Sequence, residues 1–268
     1  MNQPDLATVI LLGIIEGLTE FLPVSSTGHL ILAAELIGWR GDASVAFKIA
    51  IQLGAVLAVL VAYRQRFAGV IAGLWQREAG AIAFARNIIL GVLPAMVVGV
   101  FAYEAIRALL ESPVVVAIAL VVGGIVILAL ERLVPAARHA SVEAMPARTS
   151  LLVGVGQCVA MVPGVSRSGA TIIFGLLAGL ERRTAAEYSF FLAVPTMLAA
   201  TVYALWKNRD ALDASNLSAI GIGFAVSFVV ALVVVKGFVA LVSRYGFAPF
   251  AWYRIIAGSA ALVWLVMR

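Results

Sequence analysis

The chain has 268 residues, of which 63% are hydrophobic and only 12% charged, with a mean hydropathy of +1.07. Soluble domains are about 45–50% apolar and about 25% charged, so a soluble enzyme or nucleic-acid-binding domain is excluded. The net charge of +5 is expected to mark cytoplasmic loops rather than a nucleic-acid surface, and the single cysteine, Cys158, rules out an intramolecular disulfide and speaks against a Cys/His metal site.

The first apolar run, 5–24, has no basic leader and no small-residue cleavage site, so it is not expected to be a signal peptide. It contains Glu16 and Glu20, and an ionised group at membrane depth costs about 2.5–3.5 kcal/mol on insertion scales. The two are four residues apart and share a helix face. In a dry site they need a shared proton or a cation, and Mg²⁺ or Ca²⁺, which take oxygen ligands, would suit. Pro23 breaks the helix, because it lacks an N–H and clashes with the preceding turn. The next run, 25–38, opens with Ser25, Ser26, Thr27 and Gly28. Hydroxyls there are natural N-caps, and a helix N-terminus is itself an anion site. His29 follows, near both carboxylates, as a candidate general acid or base.

Runs 44–63, 87–103 and 113–132 are long enough to span a membrane, and the first carries Gln52 and Gly54 as cavity-lining candidates. Residues 134–149 are polar and contain His139, read as a solvated linker residue. Runs 150–163 and 164–180 flank a second polar island, Pro163 to Thr171. Ser166 mirrors the capping serine, and Ser168 and Thr171 add hydroxyls. The planar fork of Arg167 matches phosphate oxygens as a lysine does not. Gly164 and Gly169 let backbone approach a ligand. Three more spans follow at 188–206, 217–235 and 248–267, and Trp39, Trp206, Trp252 and Tyr253 fit interface belts.

The chain repeats itself at an offset of 141 residues, with Gly13 on Gly154, Ser25 on Ser166, Gly28 on Gly169, Gly38 on Gly179 and Glu16 on Gln157. Broken pairs of short apolar segments read as re-entrant hairpins. The expected architecture is therefore an all-α polytopic membrane protein with an inverted-topology repeat: six transmembrane helices plus two re-entrant helical hairpins. It forms a single integral domain over 1–268, with repeats 1–133 and 150–268 joined by linker 134–149. Three spans per half invert the second half, and the special site is expected near the midplane. One face collects eleven cations: Arg64, Arg66, Arg77, Arg86, Arg132, Arg138, Arg148, Arg182, Arg183, Lys236 and Arg244. The other collects six: Arg40, Lys48, Arg107, Lys207, Arg209 and Arg268. The excess puts the first face in the cytoplasm and both termini outside.

The two islands resemble the undecaprenyl-diphosphate phosphatase family of bacteria, the bacitracin-resistance type. Its Glu/Gln-x-x-x-Glu motif is Glu16 to Glu20, running on into Pro23–His29; its Pro-Gly-x-Ser-Arg-Ser-x-x-Thr motif is Pro163 to Thr171. Both are complete, and the resemblance extends over the chain, including Gln52–Ala55. It implies an inner-membrane enzyme, dependent on a divalent cation, that hydrolyses the C55 polyprenyl diphosphate to the monophosphate carrier of peptidoglycan synthesis. It also implies a site opening to the periplasm. On this reading Glu20, Ser26, His29 and Arg167 are catalytic. Ser25, Thr27, Gly164, Ser166, Ser168 and Thr171 bind substrate, and Glu16 with Glu20 holds the metal. Ser26 is the leading nucleophile with His29 or Glu20 as base; His29 as nucleophile, or a water activated by Glu20 and the cation, stay open. The partners expected are the lipid substrate and membrane lipids; an oligomer is compatible with the chain and not specified by it. The competing reading is a transporter or flippase of a polyprenyl phosphate, since inverted repeats and broken helices serve transport too.

Overall fold

The computed structural model describes residues 4–39, 42–102, 106, 109, 112–207 and 217–267. Arg40, Arg107, Arg209 and Arg268 of the charge count lie outside the described residues, as do the side chains of Trp206 and Lys207. The described residues form helices α1 (Leu6–Thr19), α2 (Ser26–Ile37), α3 (Asp42–Ala62), α4 (Arg64–Trp75), α5 (Ala79–Phe101) and α6 (Pro113–Glu131). They continue with α7 (Ala147–Val159), α8 (Arg167–Leu177), α9 (Arg182–Lys207), α10 (Leu217–Tyr245) and α11 (Ala248–Met267). The molecule is an all-helical membrane protein, and the only bridge among the described residues joins His139 to Leu180.

Among the described residues, five helices are long and apolar enough to cross a membrane: α5, α6, α9, α10 and α11. The sixth expected span is the run at 44–63, which continues into α4 through a 70° bend at Tyr63. Helix α4 was not expected, because Arg64, Gln65 and Arg66 end the apolar run; Phe67 and Val70 nevertheless pack against the core. Several helices outlast their apolar runs. α5 begins at Ala79 rather than 87, α9 at Arg182 rather than 188, and α10 continues to Tyr245 rather than 235. Hydropathy marks only the stretch facing hydrocarbon, whereas backbone hydrogen bonding carries a helix on into polar surroundings.

Both proline breaks are present. α1 ends at Thr19, residues 20–24 turn, and α2 starts under the Ser25 cap; α7 ends at Val159 and α8 starts under the Ser166 cap. The two breaks share their local geometry at the 141-residue offset. Ser25 and Ser166 both have positive φ, 71° and 82°, and accept from the N–H of Gly28 and Gly169 respectively. Gly38 and Gly179 both turn left-handed after α2 and α8. The packing partners correspond as well: α1 lies on α10, and α7 on α5. A Cβ at Gly13 would stand 2.9 Å from the Gly223 carbonyl oxygen, and one at Gly154 would stand 2.7 Å from that of Gly91, so backbones touch at both contacts.

Segment 134–149 docks at one end of the bundle. Buried Asn87 donates to the carbonyls of Val142 (2.8 Å) and Met145 (3.0 Å), and the Arg138 N–H donates to the Gly179 carbonyl at 2.8 Å. Arg66 pairs with Glu143, and Arg182 with Glu131 at 3.5 Å. Arg66, Arg138 and Arg182, three of the eleven cations assigned to one face, thus lie in or close to this segment.

Candidate active site

The two breaks meet. The Ser168 hydroxyl, at the start of α8, donates to the Leu22 carbonyl at 2.7 Å. A Cβ on Gly28 would lie 3.5 Å from the Cα of Gly164. Gly164 has a double constraint: its φ is +94°, and a Cβ there would sit 2.6 Å from the Val116 carbonyl oxygen. Gly164→Ala should therefore cost about 2–4 kcal/mol, combining left-handed strain with a steric clash. Thermal unfolding in detergent checks this against Gly221→Ala, where an added Cβ meets nothing within 4 Å and stability should hold or rise.

Between the tips lies a cavity of about 150 Å³ lined by Glu20, Ser25, Ser26, Thr27, Gln52, Gly164, Ser166, Arg167, Thr196 and Met197, among others. Glu20 is its electrostatic centre. One carboxylate oxygen accepts from the Ser26 hydroxyl, and the other accepts from Arg167 Nη2 at 3.1 Å. Both groups are largely buried, with side chains 14% (Arg167) and 5% (Glu20) exposed. Arg167 is anchored by a second nitrogen, Nη1, which donates to the Ser189 carbonyl at 2.7 Å, and its guanidinium lies over the Phe21 ring. Its Nε and the hydroxyl of Thr196, another residue lining the cavity, have no partner among the described residues.

Not every expected residue reaches the cavity. Thr171 is 1% exposed; its hydroxyl donates to carbonyls of its own helix and contacts Ser189 Oγ at 2.8 Å. Ser168, also 1% exposed, is committed to Leu22 and to Ser166 Oγ. Both hydroxyls are turned into helix and tip contacts rather than towards a phosphate. Glu16 is buried and off the cavity wall, its Oε1 without a partner among the described residues. His29 also stays off the cavity wall: Nδ1 contacts the Ser25 carbonyl at 2.8 Å and Nε2 the Tyr253 hydroxyl at 2.7 Å. A carbonyl only accepts, so in the neutral imidazole Nδ1 carries the proton and Nε2 accepts from Tyr253. His29 thus braces the strained Ser25, and Glu20, not His29, is the carboxylate or imidazole in contact with Ser26.

The family profile described as bacitracin resistance protein BacA matches residues 9–260. This chain belongs to the BacA family. It is 67% identical over 264 residues to an undecaprenyl-diphosphatase of Sphingopyxis alaskensis, covering 98% of this chain and 99% of that one. A second undecaprenyl-diphosphatase, from Rhizorhabdus wittichii, is 59% identical over 266 residues, covering 99% and 100%. A third, from Acinetobacter baumannii, is 45% identical over 263 residues, covering 98% and 97%.

Three functional contacts of this BacA-family chain escape the motif reading. Ser189 anchors both Arg167 and Thr171 from α9, and Tyr253, expected in an interface belt, stacks on His29 with rings 9° from parallel. Arg254 is entirely buried and donates to five carbonyls around the tips. An arginine inside the apolar run 248–267 was the available signal, since such residues are rare at membrane depth.

Proposed function

We infer that the activity named for its relatives is this chain's own: it removes the terminal phosphate of undecaprenyl diphosphate, leaving the monophosphate. The observation that carries this is the single contact chain Ser26–Glu20–Arg167 at a cavity flanked by two helix N-termini. A hydroxyl, its base and a guanidinium are what phosphoryl transfer needs, because that reaction is governed by positioning and charge stabilisation. Ser26 Oγ attacks the terminal phosphorus as Glu20 takes its proton, and the polyprenyl monophosphate leaves. The protonated Glu20 passes its proton to that leaving monophosphate; water then attacks the phosphoserine, Glu20 takes the water's proton and returns it to the departing Ser26 oxygen, and inorganic phosphate is released. Arg167 and the N-termini of α2 and α8 hold the phosphate oxygens throughout. His29 supports the geometry by holding the Ser25 carbonyl.

The halves 1–133 and 150–268 are read as inverted repeats, with α1–α2 and α7–α8 as re-entrant hairpins. Matching caps, matching left-handed glycines and the exchanged packing of α1 and α7 support this. The equivalent first position of the two tip helices is Ser26 in one half and Arg167 in the other, so duplication has been divided into nucleophile and cation. By the charge count both termini face the periplasm, and the family resemblance implies that the cavity opens there too.

A divalent cation fits the carboxylates. Glu16 Oε1 is a buried oxygen without a partner, and its carboxyl lies against that of Glu20. Among the described residues no group of three or more His, Cys, Asp or Glu side chains exists, so two carboxylates and substrate phosphate oxygens would form the set, as magnesium commonly accepts. Bound there, the ion would neutralise phosphate charge. Purified protein in detergent, given polyprenyl diphosphate and Mg²⁺, should release phosphate with no membrane gradient. A chelator should stop release, and added Mg²⁺ or Ca²⁺ should restore it. No release without a gradient would return the chain to the transporter reading; full release in excess chelator would remove the cation.

A further inference from the structure

We propose that Arg254 is a positioning residue for this phosphatase, binding the two broken tips into one phosphate receptor. Its side chain is 0% exposed and does not line the cavity. Nη1 donates to the carbonyls of Pro23 (3.0 Å) and Val165 (2.8 Å), one from each tip. Nη2 donates to Gly164 (2.8 Å) and Ala119 (3.0 Å), and Nε to Leu120 (3.3 Å). One guanidinium therefore joins the first tip, the second tip and the middle of α6. Among the described residues no carboxylate pairs with it.

Packing alone does not call for such a group. The α6–α11 contact could be filled by an apolar side chain, and a buried cation without a counter-ion is costly. The fork geometry explains why it is an arginine: five N–H donors in a fixed plane reach several carbonyls at once, while a lysine offers one nitrogen. The bonded carbonyls of Pro23, Gly164 and Val165 lie in the breaks, where no helix ladder orients them. A trans peptide is planar, so holding the Val165 carbonyl on Arg254 turns the Ser166 N–H to the opposite side. Ser166 is the strained cap of α8, and its own wall of the cavity is set by that peptide plane. The repeat offers no second copy, since the position 141 residues earlier is Pro113; one arginine serves both halves.

The proposal rests on the phosphatase reading, and phosphate release by the parent protein in the same assay separates the two. Arg254→Lys keeps the charge but cannot span both tips. It should fold at a lowered melting temperature, because buried carbonyls lose their donor, while kcat of the folded protein falls about 100-fold and KM for polyprenyl diphosphate moves less than about threefold, the pattern of a misplaced reacting centre. A kcat within about threefold of the parent, or a loss expressed only in KM, overturns it. Gly123→Ala is the second variant. Its methyl group would press on Arg254 Nη2 from within α6, and alanine favours the helix. It should lower kcat and, because the buried guanidinium must shift, also the melting temperature, so kcat is read well below the unfolding transition; it decides the matter if Arg254→Lys does not fold, and unchanged kcat in folded Gly123→Ala overturns the proposal.

Discussion

Glu20→Gln should lower kcat by about 10²–10⁴-fold while substrate still binds, the range for loss of a positioned general base. The reason lies in how Glu20 is used. Both of its oxygens are acceptors in service, one for the Ser26 hydroxyl and one for Arg167. A glutamine has the same shape but only one acceptor oxygen. Whichever way the amide is turned, its NH₂ faces either Arg167 or the serine. Facing Arg167 sets donor against donor and loosens the guanidinium; facing Ser26 leaves the hydroxyl without a base. Single-turnover phosphate release gives the rate, and a direct lipid-binding measurement shows that substrate is held. A kcat within about tenfold of the parent would move the base to another group, with His29 next in line despite its commitment to Ser25 and Tyr253.

Arg167 carries the second large effect. Arg167→Lys keeps a positive charge near Glu20 but cannot reach the Ser189 carbonyl and Glu20 with separate nitrogens, nor grip phosphate with two parallel bonds. Its kcat/KM should fall about 10²–10³-fold, the usual loss when one donor to a developing oxyanion is removed. Arg167→Ala adds a folding defect. It leaves the Glu20 carboxylate buried without its cation, and breaking a buried pair from one side costs about 3–5 kcal/mol. Kinetics and thermal unfolding of the two variants side by side separate these contributions. The lysine form should fold like the parent and be slow; the alanine form should be slow and unstable. A lysine form of normal kcat/KM would show that Arg167 merely neutralises Glu20.

Much of this was legible before any coordinates. Composition required a membrane protein, and Pro23 and Pro163 required broken helices, because proline cannot continue an α-helix. Hydropathy located the spans but not their ends: it missed the bend into α4 and the polar extension of α10, since backbone hydrogen bonds do not stop where hydrocarbon does. The 141-residue offset foresaw two equivalent caps, and Ser25 and Ser166 share even their positive φ. Side-chain direction was harder to read. Thr171 and Ser168 sit within the second polar island and were expected to bind phosphate, yet their hydroxyls serve carbonyls of the protein.

By itself the amino-acid sequence determined the class of molecule, the two polar islands and the kind of chemistry they can do, because cost at membrane depth and proline sterics act locally. Only the tertiary structure decided which groups meet. Glu20 and Arg167 are 147 residues apart in the chain and 3.1 Å apart in space. Arg254 reads in sequence as one cation in an apolar helix, the same whether it points to lipid, water or two hairpin tips. Its five carbonyl partners come from three distant segments, and no local pattern encodes a contact whose partners are brought together only by the packing of α6 and α11.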